Sequence, residues 1–154
     1  MIVDCAIYED GRRADGSDDL QGALDRARAT GGFVWVGLHE PSGPEFDAAA
    51  EVFRLHPLAV EDAVHAHQRP KLDHYGDTLF VVLKPARYVD TEEVIELGEI
   101  MVFLGEHFVV TVRHGRTSAL TEVRRDLETH PERLAWGPTS VLYAVADKVV
   151  DDYG

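Results

Sequence analysis

The sequence predicts an α/β layered domain with a mixed sheet, and its hydrophobic pattern supplies three reasons. A short apolar run followed by residues at helical spacing occurs twice before residue 54. Three more strand-like runs lie between residues 78 and 113, the last two close enough in sequence to pair as a hairpin. Two helical segments then close the chain, so the expected order is βα-βα-α-βββ-αα.

Each element has its own signal. Ile2 to Tyr8 is apolar apart from Asp4 and reads as a strand turning at Glu9-Asp10-Gly11. Leu20, Ala23, Leu24 and Ala27 recur at helical spacing behind Asp18 and Asp19, whose charge suits a helix N-terminus, and Gly31-Gly32 supplies the stop. Phe33 to Leu38 is the second strand. Ser42-Gly-Pro-Glu45 has the form of a capping box before an apolar stripe of Phe46, Ala49, Ala50 and Phe53. Pro57 suits the first turn of a short helix over LAVEDAVH, which leads into a polar HQRPKLDH loop. Thr78 to Tyr88, Val94 to Leu104 and Phe108 to Arg113 read as strands, with the turn of the last pair at Gly105-Glu106. Ser118 to Thr129 and Thr139 to Tyr153 read as helices. Trp35, Phe80, Phe103 and Tyr143 sit on apolar faces and read as core.

The chain has 154 residues, 28 acidic and 15 basic, for a formal net charge of −13. Such a length suits one domain spanning residues 1–154, and no linker, repeat or low-complexity tract divides it. The acidity is local: residues 1–62 hold 13 acids and 5 bases, and residues 91–112 hold 5 acids and no base. Nucleic-acid binding is disfavoured, since neutralising phosphates takes a basic face. Cations are the favoured partners. Cys5 is the only cysteine, so an internal disulfide, a thiolate zinc site and a CxxC pair are all excluded, and a reducing cytosol fits. The N-terminus lacks the basic and apolar regions of a signal peptide, and no run approaches the ~18 apolar residues of a membrane span. The apolar stripe of Val141, Leu142, Val145, Val149 and Tyr153 runs to the last residues without a stop signal. The expectation is therefore that the chain ends inside a longer helix of a larger protein.

Catalytic patterns are weak. His65, His67 and His74 fall within ten residues, but without a thiolate or a second tight pair they read as polar loop residues. There is no G-x-S-x-G elbow, Cys5 lies in a strand with no signal for an activating base, and no glycine pair is followed by the Lys-Ser/Thr of a phosphate-binding loop. No enzymatic activity is expected. The carboxylates are better candidates. Asp147 and Asp151 are four apart on the last helix and share a face, with Asp152 on the adjoining one. Glu61 and Asp62 are consecutive on a helix, so they diverge by about 100° around its axis and need ligands from elsewhere to hold one ion. Oxygen-only donors suit Mg²⁺ or Ca²⁺.

Three ordered blocks carry a resemblance. HPLAVEDAVHAHQRPKLDHYGDTLFVVLK (residues 56–84), GEIMVFLGEHFVVTVRHG (98–115) and VLYAVADKVVDDY (141–153) closely resemble the cytoplasmic N-terminal domain of CorA-type magnesium and cobalt transporters. The likeness runs from Phe33 to Tyr153, and the HP-x3-ED-x4-HQRPK pattern is its most specific part. In that pattern Pro70 restricts Arg69 to extended geometry, which suits a structural role.

The resemblance implies an α/β/α sandwich around a mixed, partly antiparallel sheet, with the last helix as the start of a stalk that enters the membrane. It implies a homopentameric divalent-cation channel at the cytoplasmic face of the cell membrane, whose spans and Gly-Met-Asn pore signature are not in this sequence. Glu61 and Asp62 fall on the acidic pair of the family's regulatory metal site, and Asp147 on the acidic residue of the last helix in the same region. There Mg²⁺, or Co²⁺, bridges neighbouring subunits and holds the channel closed; a stalk aspartate of that site has no counterpart here. Other readings of the same residues are the corresponding domain of a zinc transporter, a stand-alone interaction module and a metal-dependent hydrolase.

Overall fold

The computed structural model describes residues 2–14, 19–65, 69–84, 86–89, 94–115 and 120–153. Asp18, His67, Gln68 and the expected helix start at Ser118 lie outside the described residues, as do the side chains of Asp151, Asp152 and Tyr153.

Strand β1 (Ile2–Glu9) turns through Asp10 and Gly11 into the short β2 (Arg12–Ala14), and both turn residues have positive φ. Gly11 is required there: a Cβ would lie 2.0 Å from the Pro131 carbonyl oxygen. Helix α1 (Leu20–Thr30) starts at Asp19, whose carboxylate accepts from the Gly22 N–H at 2.6 Å, and ends on Gly31 in the left-handed region. After β3 (Phe33–His39), α2 (Gly43–Phe53) opens with the expected capping box. The Ser42 N–H donates to Glu45 at 3.0 Å and the Glu45 N–H to Ser42 Oγ at 3.3 Å. Accepting the Ser42 N–H is the main reason the Glu45 carboxyl is pushed down to about 2. Helix α3 (Pro57–Val64) follows, with Pro57 in its first turn.

The next segment departs from expectation. Lys71–Tyr75, read from sequence as loop up to His74, forms β4 and pairs antiparallel with β5 (Thr78–Leu83) across a turn at Gly76. The run expected as one strand from Thr78 to Tyr88 is divided into β5 and β6 (Ala86–Val89), with Pro85, which has no N–H for a ladder, between them in sequence. β7 (Val94–Leu104) and β8 (Phe108–Gly115) make the expected hairpin. Helix α4 (Thr121–Glu128), the one-turn α5 (Pro131–Leu134) and α6 (Thr139–Tyr153) complete the chain.

The strands lie in the order β2-β1-β3-β8-β7-β5-β4, and β6 pairs with β7. Only β3 and β8 are parallel among the paired strands described; the others are antiparallel. Both faces of this mixed sheet are covered, so its central strands are apolar on alternate residues in both directions. Val34, Val36 and Leu38 of β3, with Val110 and Val112 of β8, meet Leu24, Phe46, Phe53, Ala59 and Ala63 from α1, α2 and α3. Phe33 and Trp35, with Val109, meet Val123, Leu127, Leu134, Val141 and Val145 from α4, α5 and α6. Trp35, Phe80 and Phe103 are core as expected. Tyr143 is not: it is 66% exposed. The buried stripe of α6 is Val141, Val145 and Val149, and Tyr143 lies two residues, about 200°, from each of the first two.

One polar tie crosses the second layer. The Arg124 guanidinium lies 3.9 Å over the Trp35 ring, donates to Tyr8 Oη at 3.0 Å and pairs with Asp4 at 3.0 Å, which anchors α4 to β1 and β3. Among the described residues, no helix is long and apolar enough to cross a membrane.

Candidate functional site

Helix α3 presents the first two candidate carboxylates. It starts because His56 Nδ1 accepts the Leu58 N–H at 3.1 Å and Pro57 has no N–H to satisfy. Ala59 and Ala63, four apart, are buried on the sheet, which turns Glu61 to solvent and leaves Asp62 on the flank. The His56 ring also stacks on Tyr75 of β4, with centroids 4.6 Å apart, so both ends of β4 are bound to this helix.

Asp62 already has a cation beside it. Lys71 Nζ lies 2.5 Å from Asp62 Oδ2 and 3.4 Å from Asp73 Oδ2, and 5.6 Å from the centroid of the Phe80 ring. The hydrogen bond to Asp62 is the chief reason the Lys71 ammonium is raised above its ordinary value. Beneath the same last turn of α3, His114 Nε2 lies 2.6 Å from the Ala63 carbonyl and Nδ1 lies 3.2 Å from Glu40 Oε2. Glu40 in turn accepts the Gly115 N–H at 2.6 Å, which with the His114 bond lowers its carboxyl below the ordinary range. Glu99, the cross-strand partner of His114, is buried and pairs with Lys84 at 2.7 Å. Of these groups, His114 is the one that reaches the last turn of α3.

The third candidate is on the other side of the sheet. Asp147 is exposed on α6 and lines a groove of about 230 Å³ with Glu122, Asp126, Arg133 and Lys148. Because α3 packs on one face and α6 on the other, a single chain does not bring Glu61 and Asp62 to Asp147. Among the described residues, no three His, Cys, Asp or Glu side chains are grouped to hold a metal. The donor type fits a hard cation such as Mg²⁺, whereas the placement fits only if another chain completes the set. His65 and His74 are exposed and form no such group with described residues. Cys5 is half-buried in β1, and burial raises its thiol, so it is a poor nucleophile.

Sequence reasoning missed Lys71, Glu40 and His114. For Lys71 a signal was present: Tyr75-Gly76-Asp77-Thr78 is a turn between two short runs, and recognising it places Lys71 and Asp73 on one face of a strand. For Glu40 and His114 there was none, since they meet through the parallel pairing of β3 with β8.

The comparisons agree with this architecture. The model of a family described as CorA-like Mg²⁺ transporter protein matches residues 30–154. The putative metal ion transporter YfjQ of Bacillus subtilis (strain 168) is 37% identical over 121 residues, covering 79% of this chain and 37% of that protein. The cobalt/magnesium transport protein CorA of Thermotoga maritima is 28% identical over 124 residues, covering 78% of this chain and 35% of that protein. The chain thus spans little more than a third of the length of these curated relatives. The solved soluble domain of CorA from Methanocaldococcus jannaschii has the same fold, with a TM-score of 0.68 at 12% identity over 99% of this chain and 58% of that one. On the match across residues 30–154 and the 37% identity to a relative, the chain belongs to the CorA-like Mg²⁺ transporter protein family.

Proposed function

We propose that this chain is the divalent-cation-sensing part, at the cytoplasmic face of the membrane, of a Mg²⁺/Co²⁺ transport channel. Mg²⁺ bridges Glu61 and Asp62 of one subunit to Asp147 of its neighbour and favours the closed state. The observation that carries this reading is the position of the carboxylates on opposite layers of one sandwich. Copies arranged so that α3 of one faces α6 of the next make a head-to-tail contact, the kind that closes into a ring. A homopentamer is the ring the family resemblance implies.

The energetics follow from charge. Two carboxylates ~4 Å apart repel by about 1 kcal/mol in water, and by more where solvent is partly excluded. A bridging divalent cation reverses the sign. A site at tenfold its Kd contributes about 1.4 kcal/mol to the state that binds it, and several such sites around a ring act together. When Mg²⁺ falls, the subunits separate and the pore is biased open. The oxygen-only donors favour this reading over a zinc transporter.

The test uses the full-length protein, with protection from proteolysis by Mg²⁺ and Mg²⁺ inhibition of transport as readouts. Asp62→Asn and Asp147→Asn should each abolish saturable protection and Mg²⁺ inhibition, and the double variant should be little worse than either single one. Unchanged Mg²⁺ inhibition in Asp62→Ala overturns the role of Asp62.

A further inference from the structure

We infer that Lys71 is a tethered competitor for the metal: its ammonium and a divalent cation contend for the same oxygen of Asp62, so that Lys71 sets the Mg²⁺ concentration at which the site fills. This rests on the reading that Mg²⁺ takes Asp62. The contact at 2.5 Å is on Oδ2 itself. A magnesium ion bonds carboxylate oxygen at about 2.0–2.1 Å, so an ion and an ammonium on one oxygen stand only about 4 Å apart. A dipositive ion and a monopositive one at that distance repel strongly even in water, and the ammonium has to move away.

The strand supplies a place for it to go. Lys71 and Asp73 are two apart on β4 and share a face, and Asp73 Oδ2 is already 3.4 Å from the ammonium. Four flexible methylenes let the head group transfer from Asp62 to Asp73 while its charge stays neutralised. The Phe80 ring, opposite Asp73 in the β4–β5 register, gives the stem an apolar surface during that shift.

Two substitutions move the metal response in opposite directions. In Mg²⁺ titrations of the full-length protein read by protease protection, Lys71→Gln should reach half-protection at about tenfold lower Mg²⁺. Lys71→Arg keeps the charge but grips a carboxylate bidentately, and should need about two- to fivefold more Mg²⁺. Arg12→Gln, an equal charge loss on exposed β2 at the opposite edge of the sheet, should stay within about twofold of the parent. Asp62→Asn serves as the test of the underlying reading and should lose saturable protection. If Lys71→Gln shifts no more than Arg12→Gln, or Lys71→Arg leaves the midpoint unchanged, while Asp62→Asn still abolishes the response, competition is overturned and the Asp62 site stands. Full protection in Asp62→Asn overturns both. Lys71→Arg retains the ion pair and the strand, so it decides the matter even if Lys71→Gln does not fold.

Discussion

His114 holds the last turn of α3 through the Ala63 carbonyl, 2.6 Å from its Nε2. That carbonyl is among those at a helix C-terminus that no intrahelical N–H serves, so a buried ring nitrogen supplies the missing donor. The second bond, Nδ1 to Glu40 Oε2 at 3.2 Å, also ends on an atom that can only accept. Replacing His114 with Leu leaves a buried carbonyl unpaired and should cost about 1–3 kcal/mol in urea denaturation. Amide exchange should rise first in residues 57–64; uniform protection of that helix would show that its end is held by something else.

Acid sensitivity should trace in part to Glu40. Its carboxyl is lowered from an ordinary value of 4.5, chiefly by the Gly115 N–H and then by His114. A group whose folded value is depressed contributes stability above its unfolded value, and that stability is lost as the pH falls through the folded one. Unfolding free energy should therefore decline as the pH drops below about 4.5, and Glu40→Gln should flatten that decline. Glu45, pushed down to about 2, adds to the same trend over the same acid range. An unchanged slope in Glu40→Gln would exclude it as a contributor.

The Arg124 tie is predicted to be costly to cut. Arg124 is buried while Asp4 is one-third exposed, so truncation to Ala strands only part of a buried charge pair. Breaking a fully buried pair costs about 3–5 kcal/mol; solvent around Asp4 reduces this to roughly 2–3 kcal/mol. Arg124→Lys should recover little, because one ammonium cannot cover Trp35 and reach both Tyr8 and Asp4. Stability within about 0.5 kcal/mol of the parent in Arg124→Ala, the range of ordinary surface substitutions, would remove the tie from the account.

Neighbouring positions of α6 should respond differently. Val145 is 0% exposed and Tyr143 is 66% exposed. Val145→Ala deletes buried methyl groups and should cost about 1–3 kcal/mol. Tyr143→Ser should stay within about 0.5 kcal/mol in this chain. Thermal denaturation of the two variants side by side decides it, and a large loss in Tyr143→Ser would mean that the ring is covered.

Local elements were legible where the signal was local. The capping box at Ser42 and Glu45, the Gly31 stop of α1 and the β7–β8 hairpin each depend on residues a few positions apart. β4 was missed because Lys71, Asp73 and His74 make its sequence polar, and the sheet edge it occupies tolerates that. Tyr143 was misplaced because an apolar residue on a helix reports a stripe only when its angle to the others is counted.

The sequence by itself determined the α/β class and most of its helices and strands, because periodicity and short motifs encode them along the chain, while the resemblance singled out Glu61, Asp62 and Asp147 among its carboxylates. Tertiary structure alone decided what those carboxylates meet. Asp62 finds Lys71 through the β4–β5 hairpin, α3 is held from below by His114, and Asp147 is carried to the opposite layer. Those relations depend on strand order and on the side of the sheet each helix packs against. Such contacts join residues far apart in the chain, 74 positions in the case of Glu40 and His114, and are set by the burial of both faces at once.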